Sequence, residues 1–286
     1  IEPPEDIKID GKLHRFSTNG RKRDDSGWYI IFPDTPVAGR FGCWRDQIDC
    51  VFKADIGREL TASENMAITR RQSEATEERE RVRTKKSEVA ANTVEKIWSE
   101  AIAASPDHPY LKRKGIEPHG ARLTGDGRLI VPLYDPVDDL TSLQYISDSE
   151  KRYHPGGTTK GCSWSLGERT PGPIFVAEGF ATAATVHEVS GRPCVIAYSA
   201  NNLPIIVGSL RGFYGQTQDI VIVADNDASG VGRNKADEAS AKYGGRIVMP
   251  PNEGDANDYY QSGGDLSALL FPPVDDWLVQ ADAFSE

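Results

Sequence analysis

Acids stand at several places in this chain where they could gather a hard cation. Asp225-Asn226-Asp227 directly follows the apolar run DIVIVA, and Glu178-Gly179 directly follows IFVA. Two carboxylates at i and i+2 in an extended or turning backbone can both face one oxygen-seeking divalent ion such as Mg²⁺. Asn226 between them offers an amide for local bonding, and Ser229-Gly230 supplies a tight turn. Gly179 carries no side chain, so a phosphate or substrate backbone can approach closely there. A lone Asp-x-Asp is weak evidence, because aspartates also serve as helix caps and turn residues. Asp227 is placed to cap the helix around Arg233. The joint pattern is far more specific: Glu-Gly after one strand, Asp-x-Asp after another, and Asp255 with Asp258 beyond a third.

The elements that must position these acids begin after Pro171-Gly172-Pro173. IFVA leads into EGFATAATVHEVSG, PCVIAY into SANNLPIIVGSL, DIVIVA into RNKADEASAKYGG, and RIVMP into a NEGDANDYYQSGG loop. Short β-branched strands alternating with helical segments predict a buried parallel sheet in an α/β layer fold. Ligands of such sheets sit at the carboxyl ends of the strands. Glu178, Ser199, Asp225 with Asp227, and Asp255 with Asp258 occupy those ends, which makes Gly179, Ser199 and Asn201 substrate-binding candidates.

Upstream, residues 1–60 predict a small β-rich module, with GWYIIF and FGCWRD separated by the turn chemistry of PDTPVAG. Residues 61–104 predict a charged helical connector, polar all round at first. An apolar face of Val89, Val94, Ile97, Trp98 and Ile102 follows, stopping at Ser105-Pro106. Residues 105–172 predict an α+β subdomain: a short helix HPYLKRKG ending at Gly115, a hairpin of RLIVPLY and LTSLQYI, and a Gly-rich basic loop SDSEKRYHPGGTTKG. Lys151, Arg152 and Lys160 in that loop, with Tyr153 and His154 between them, suit phosphates and bases of nucleic acid, although a solvated loop reads the same. Arg113, flanked by Lys112 and Lys114, is a second candidate whose bland reading is the cationic last turn of a helix. Trp98 and Trp164 read as core. Residues 173–272 form the candidate catalytic region and 273–286 a tail or linker.

The net charge of −10 is uneven: residues 1–172 hold 27 Lys/Arg and 28 Asp/Glu, and residues 173–286 hold 6 and 15. An acidic region repels phosphate unless bound cations invert its field. Cys43, Cys50, Cys162 and Cys194 are scattered without a C-x-x-C pair, which excludes a zinc ribbon and predicts reduced thiols in a cytoplasmic setting. No apolar run is long enough to span a bilayer, no signal peptide is visible, and no Walker A lysine motif occurs.

VAEGFATA and VIVADNDASGVG resemble the two signature motifs of the Toprim domain, shared by topoisomerases, bacterial-type primases and some nucleases. The resemblance implies a parallel sheet that joins Glu178, as acid/base or metal-binding residue, to the metal-binding pair Asp225 and Asp227. DANDYY resembles the further acidic stretch of primases, with Asp255 first and Asp258 second. Replicative primases carry another Asp four residues after the motif Glu. Thr182 stands there, which favours the phage- and plasmid-type branch. RLIVPLYDPVDDLTSLQYISDSEKRYHPGGTTKGCSWSLGE is similar to the segment before the Toprim domain in primases, and the first 60 residues resemble the leading module of mobile-element primase–helicases. The expected fold is α/β: a Toprim-like parallel sheet with flanking helices, preceded by a mixed α+β subdomain and a small N-terminal β module. The implied activity is template-directed synthesis of RNA primers from nucleoside triphosphates on single-stranded DNA, with Mg²⁺ or Mn²⁺, beside a helicase domain or protein outside this chain. A Toprim nuclease and a non-catalytic single-stranded DNA-binding replication module are the alternatives. A topoisomerase would need a catalytic Tyr in a separate domain.

Overall fold

The computed structural model describes residues 3–272, apart from residues 5, 22–23, 34, 47 and 148–149. The tail expected at 273–286 lies outside the described residues. The chain divides into two compact units, Ile1–Arg81 and Val82–Glu286.

The first unit carries one antiparallel sheet in the order β1 (His14–Phe16), β2 (Gly27–Phe32), β3 (Ala38–Cys43), β4 (Ile48–Lys53). Aromatic and β-branched residues build these strands. Helix α1 (Ala62–Glu100) starts at a reciprocal cap, where Thr61 N–H donates to Glu64 Oε2 at 2.9 Å and Glu64 N–H to Thr61 Oγ1 at 3.3 Å. Its early turns are laced by exposed pairs such as Arg70–Glu74 at 2.7 Å.

The second unit is built on two sheets. The first is antiparallel, in the order β5 (Ile102–Ala103), β6 (Arg122–Leu123), β7 (Leu129–Tyr134), β8 (Leu140–Ile146), β9 (Lys151–Tyr153), with helix α2 (Pro109–Lys114) in the connection before β6. Val94 of α1, with Ile97 and Trp98, packs on Ile130 and Leu143 of its outer face. Val89 and Ile102, expected in that apolar stripe, are 61 % and 68 % exposed. Ala90 takes the buried position instead, and the helix ends before Ile102. The stretch 151–153, expected within a loop, is the edge strand β9: the turn closed by Ser147 N–H on Glu150 O at 3.0 Å returns the chain along β8.

The other sheet runs β10 (Trp164–Leu166), β12 (Cys194–Ile196), β11 (Ile174–Ala177), β13 (Ile220–Val223), β14 (Arg246–Val248). Its last four strands are parallel, and β10 is an antiparallel edge that the sequence pattern did not assign to this sheet. Helices α4 (Leu203–Tyr214) and α5 (Val231–Tyr243) cover one face with Ile174, Val176, Ile220 and Ile222. Helices α3 (Phe180–Ser190), α6 (Ala256–Gln261) and α7 (Leu266–Leu270) lie with Phe175, Ala177, Val221 and Val223 in a second core, which also takes Leu129, Val131 and Leu133 of the antiparallel sheet. This alternation is the period of two that a strand buried on both faces requires. No helix among the described residues is long and apolar enough to cross a membrane.

Candidate active site

Each strand of the parallel sheet ends where the next backbone must turn into a helix, and the acids sit on those turns. Glu178 follows β11, and Gly179 is the N-cap of α3. Asp225 and Asp227 follow β13, and Gly230 in the left-handed region (φ 65°) opens α5. A bridge between Asn226 and Gly254 carries the chain after β14 back to the Asp225 turn. Asp255 then caps α6, accepting from Asp258 N–H at 2.8 Å. The DANDYY stretch, expected in a loop, is therefore a capped helix.

The structure brings Glu178 and Asp225 together as a half-buried pair. Glu178 Oε1 and Asp225 Oδ1 are both buried and accept no hydrogen bond from the described residues. Burial, then the charges of Glu178 and Asp255, push the Asp225 carboxyl up to about 7. Burial and the charge of Asp227 raise that of Glu178, against one backbone N–H, from Ala200. Orphaned carboxylate oxygens of this kind cost free energy unless a cation or proton satisfies them. Carboxylate oxygen is the donor type that Mg²⁺ and Mn²⁺ prefer, and one or two carboxylates with substrate phosphates suffice for Mg²⁺. The pair fits such an ion. Among the described residues no three His, Cys, Asp or Glu side chains form a closed cage. Gly232 at the start of α5 makes room for the pair: a Cβ there would lie 2.7 Å from Glu178 Oε1.

Asp227 is exposed and turned to its own loop. Its Oδ1 accepts from Ser229 N–H at 2.7 Å, Gly230 N–H at 3.0 Å and the Ser229 hydroxyl, whose bond leads in holding its carboxyl low. Turn duty is thus real for Asp227, though it braces the Asp-x-Asp turn and not the α5 cap. Asp258 pairs with Lys114 Nζ at 2.8 Å, and Asp255 lies 3.9 Å from the same nitrogen.

The cations predicted from the sequence part company. Lys151 and Arg152 are adjacent in a strand, so they face opposite sides of the sheet. The Lys151 ammonium stands beside the Glu178-Gly179 turn: it lies 3.6 Å from where a Gly179 Cβ would stand. Although the residue as a whole is exposed, protein atoms crowd its ammonium and lower its pKa, against the pull of Asp255 and Asp225. Arg152 lies on the other side, 2.8 Å from Glu150. Lys160 is exposed in a loop that Asn202 holds, through Thr159 O at 2.7 Å and Gly161 N–H at 3.0 Å. Arg113 lies over the Tyr110 ring at 5.4 Å in the last turn of α2, as its bland reading expected. Ser199 and Asn201 are exposed at the end of β12, and Thr182 is 2 % exposed beneath Gly179. Trp164 stacks on Phe180 and Trp98 carries the Arg122 guanidinium, both packed against the core.

Sequence reasoning passed over Asn257, which is fully buried and donates to Lys114 O at 2.7 Å and Thr185 Oγ1 at 2.8 Å. It also passed over Tyr110, whose buried hydroxyl has no partner among the described residues and is pushed up to about 12 by burial and Asp255. Their only signal was proximity to motif acids, visible once α2 and α6 are placed.

Residues 173–265 match the Toprim domain family. Beyond that segment, the chain is similar to two Escherichia coli proteins named DNA primase TraC, at 28% and 26% identity over 257 residues. The matches cover 85% of this chain but only 24% and 18% of those proteins, so the chain spans a quarter or less of the curated relatives it matches. Among solved structures, the primase fragment of the bacteriophage T7 primase-helicase protein aligns over 91% of this chain and 99% of its own, with 16% identity and a TM-score of 0.47.

Proposed function

We propose that this chain is the catalytic portion of a DNA primase that joins nucleoside triphosphates into short RNA primers on single-stranded DNA. The observation that carries the reading is the pair of orphaned carboxylate oxygens, on Glu178 and Asp225, at the strand ends of a Toprim domain, with the Lys151 ammonium beside Gly179. The similarity to DNA primases extends this beyond the Toprim segment.

Glu178 and Asp225 would hold Mg²⁺ or Mn²⁺, with Asp227 and Asp255 beside them and Asp258 steadied by Lys114. Bound divalent ions would neutralise the triphosphate and polarise the phosphorus under attack. Lys151 takes triphosphate oxygens at the same place, where a crowded ammonium is an effective anion partner. Glu178, its carboxyl raised by burial, is also suited to accept the proton of the primer 3′-hydroxyl. Gly179 leaves space for phosphate, and exposed Ser199 and Asn201 offer contacts to sugar or base. Lys160 and Arg113 are assigned to the template backbone, and Arg152 to strand passing along the free edge of β9. In this reading residues 1–60 are an accessory module, 61–104 a connector, 105–172 the template-side subdomain and 173–272 the catalytic domain, beside a helicase outside this chain.

De novo synthesis on single-stranded DNA with the four ribonucleoside triphosphates and Mg²⁺ or Mn²⁺ tests the reading. Labelled short RNA that disappears in Glu178→Gln supports it. Cleavage of labelled DNA without synthesis would establish the nuclease instead, and binding without either reaction would establish the non-catalytic module.

A further inference from the structure

Two acidic turns, one carrying Asp225 and Asp227 and the other ending on Asp255, are tied together by Asn226. Asn226 N–H donates to Gly254 O at 2.9 Å, and Gly254 N–H donates back to Asn226 O at 2.8 Å. The Asn226 side chain does not bond within its own turn, as the sequence suggested. Its amide reaches across the same gap and donates to Pro250 O at 3.1 Å and to Asn252 O at 3.2 Å. Four bonds from one residue thus join the two turns. Gly254 stands at φ 128°, where a side chain is rarely tolerated, and a Cβ there would lie 3.4 Å from Asp258. The chain therefore bends sharply just before Asp255 begins α6. On its other side the Asp225 backbone is backed by the start of α5, where a Gly232 Cβ would lie 3.2 Å from Asp225 O. Carboxylates brought together without a metal repel one another. A side-chain amide is a neutral join for such turns, because it donates twice and adds no charge.

We infer that Asn226 is a positioning residue: its amide clasps the segment before Asp255 and so sets how closely Asp255 stands to Asp225 when a divalent ion enters. The inference rests on the proposed place of Asp225 and Asp255 at the metal site. Without the clasp, only the paired backbone bonds between Asn226 and Gly254 join the turns, and repulsion between their carboxylates loosens them. Groups that hold metal ligands from behind orient them, and their loss typically weakens metal affinity by about ten-fold or more.

The test compares Asn226→Leu, which keeps the shape of the side chain without its donors, and Asn226→Ala with Asn252→Ala. The last removes an exposed side chain and keeps the carbonyl that Asn226 holds. Mn²⁺ binding is followed by calorimetry, and hydrogen exchange of the Gly254 amide is read in the metal-free protein. Both Asn226 variants are expected to weaken Mn²⁺ by about ten-fold and to speed Gly254 exchange by about the same factor, with Asn252→Ala matching wild type. In an Asp255→Asn background the Asn226→Leu effect on Mn²⁺ should vanish, since it acts through that carboxylate. Wild-type Mn²⁺ binding or wild-type Gly254 exchange in Asn226→Leu would overturn the inference, as would an equal loss of Mn²⁺ affinity in the Asp255→Asn background. Wild type that binds Mn²⁺ but makes no primer would strike only the proposed function, because neither readout uses that reaction. Wild type that binds no Mn²⁺ would strike the metal site and the inference together.

Discussion

Removing the charge of Asp225 should stabilise the metal-free protein at alkaline pH while destroying its response to divalent ions. Its carboxyl rises from an ordinary 3.8 to about 7, chiefly through burial and then through Glu178 and Asp255. A gap of about 3 units at 1.36 kcal/mol each gives about 4 kcal/mol as an upper bound, and relaxation around a half-buried group brings the expectation to about 2 kcal/mol. The folded state binds this proton more tightly than the unfolded chain does. Stability from Asp225 is therefore greatest below its unfolded pKa and is lost as pH climbs through the folded value near 7. Melting curves in chelator between pH 5 and pH 8.5 should show wild type losing about 4–8 °C more than Asp225→Asn across that range, using about 2–4 °C per kcal/mol for a domain of this size. At pH 8 the variant should melt higher, and Mg²⁺ should raise the wild-type midpoint but not that of the variant. Parallel pH profiles for the two proteins would refute the claim that Asp225 is a strained, ion-seeking carboxylate.

Gly232→Ala should cut synthesis by about a hundredfold with only a small change in melting, because the new methyl would stand 2.7 Å from Glu178 Oε1 and displace it; wild-type rates would contradict the placement. Lys151→Ala should lower synthesis even at saturating template, whereas Arg152→Ala should weaken template binding alone and reduce the salt slope of log affinity by about 0.7. Equal behaviour of the two variants in a template titration would undo their assignment to opposite faces. Asn257→Ala should cost about 1–3 kcal/mol in chemical denaturation, since it removes the amide from the half-buried Lys114 carbonyl and one of the two bonds of the buried Thr185 hydroxyl, and a loss below that range would mean water replaces the amide.

The parallel sheet was legible because its strands are short apolar runs and each ends on a helix signal. Glu178 and Asp225 stand at the strand ends where the pattern put them for the same reason, since strand ends are where such a fold presents groups to ligands. Composition could not separate Lys151 from Arg152. Both sit in a stretch whose Gly and charge content reads as loop, and only the pairing of 151–153 with β8 reveals that alternate residues face opposite ways. The α6 helix was missed because its six residues are too few to show periodicity, although the capping pair Asp255 and Asp258 at i and i+3 was a usable signal. The clasp of Asn226 was invisible for a deeper reason. Nothing local to an asparagine announces which carbonyls its amide will hold, and its acceptors stand 24 and 26 positions away.

The most direct measurement follows both products of one reaction: phosphodiester bonds formed and pyrophosphate released, on single-stranded DNA with nucleoside triphosphates and Mg²⁺ or Mn²⁺. The account predicts one pyrophosphate for each bond, strict dependence on template and metal, and loss of both products together in Asp225→Asn and Glu178→Gln. Shortening of the DNA without consumption of triphosphates, or synthesis that persists in both variants, would contradict it.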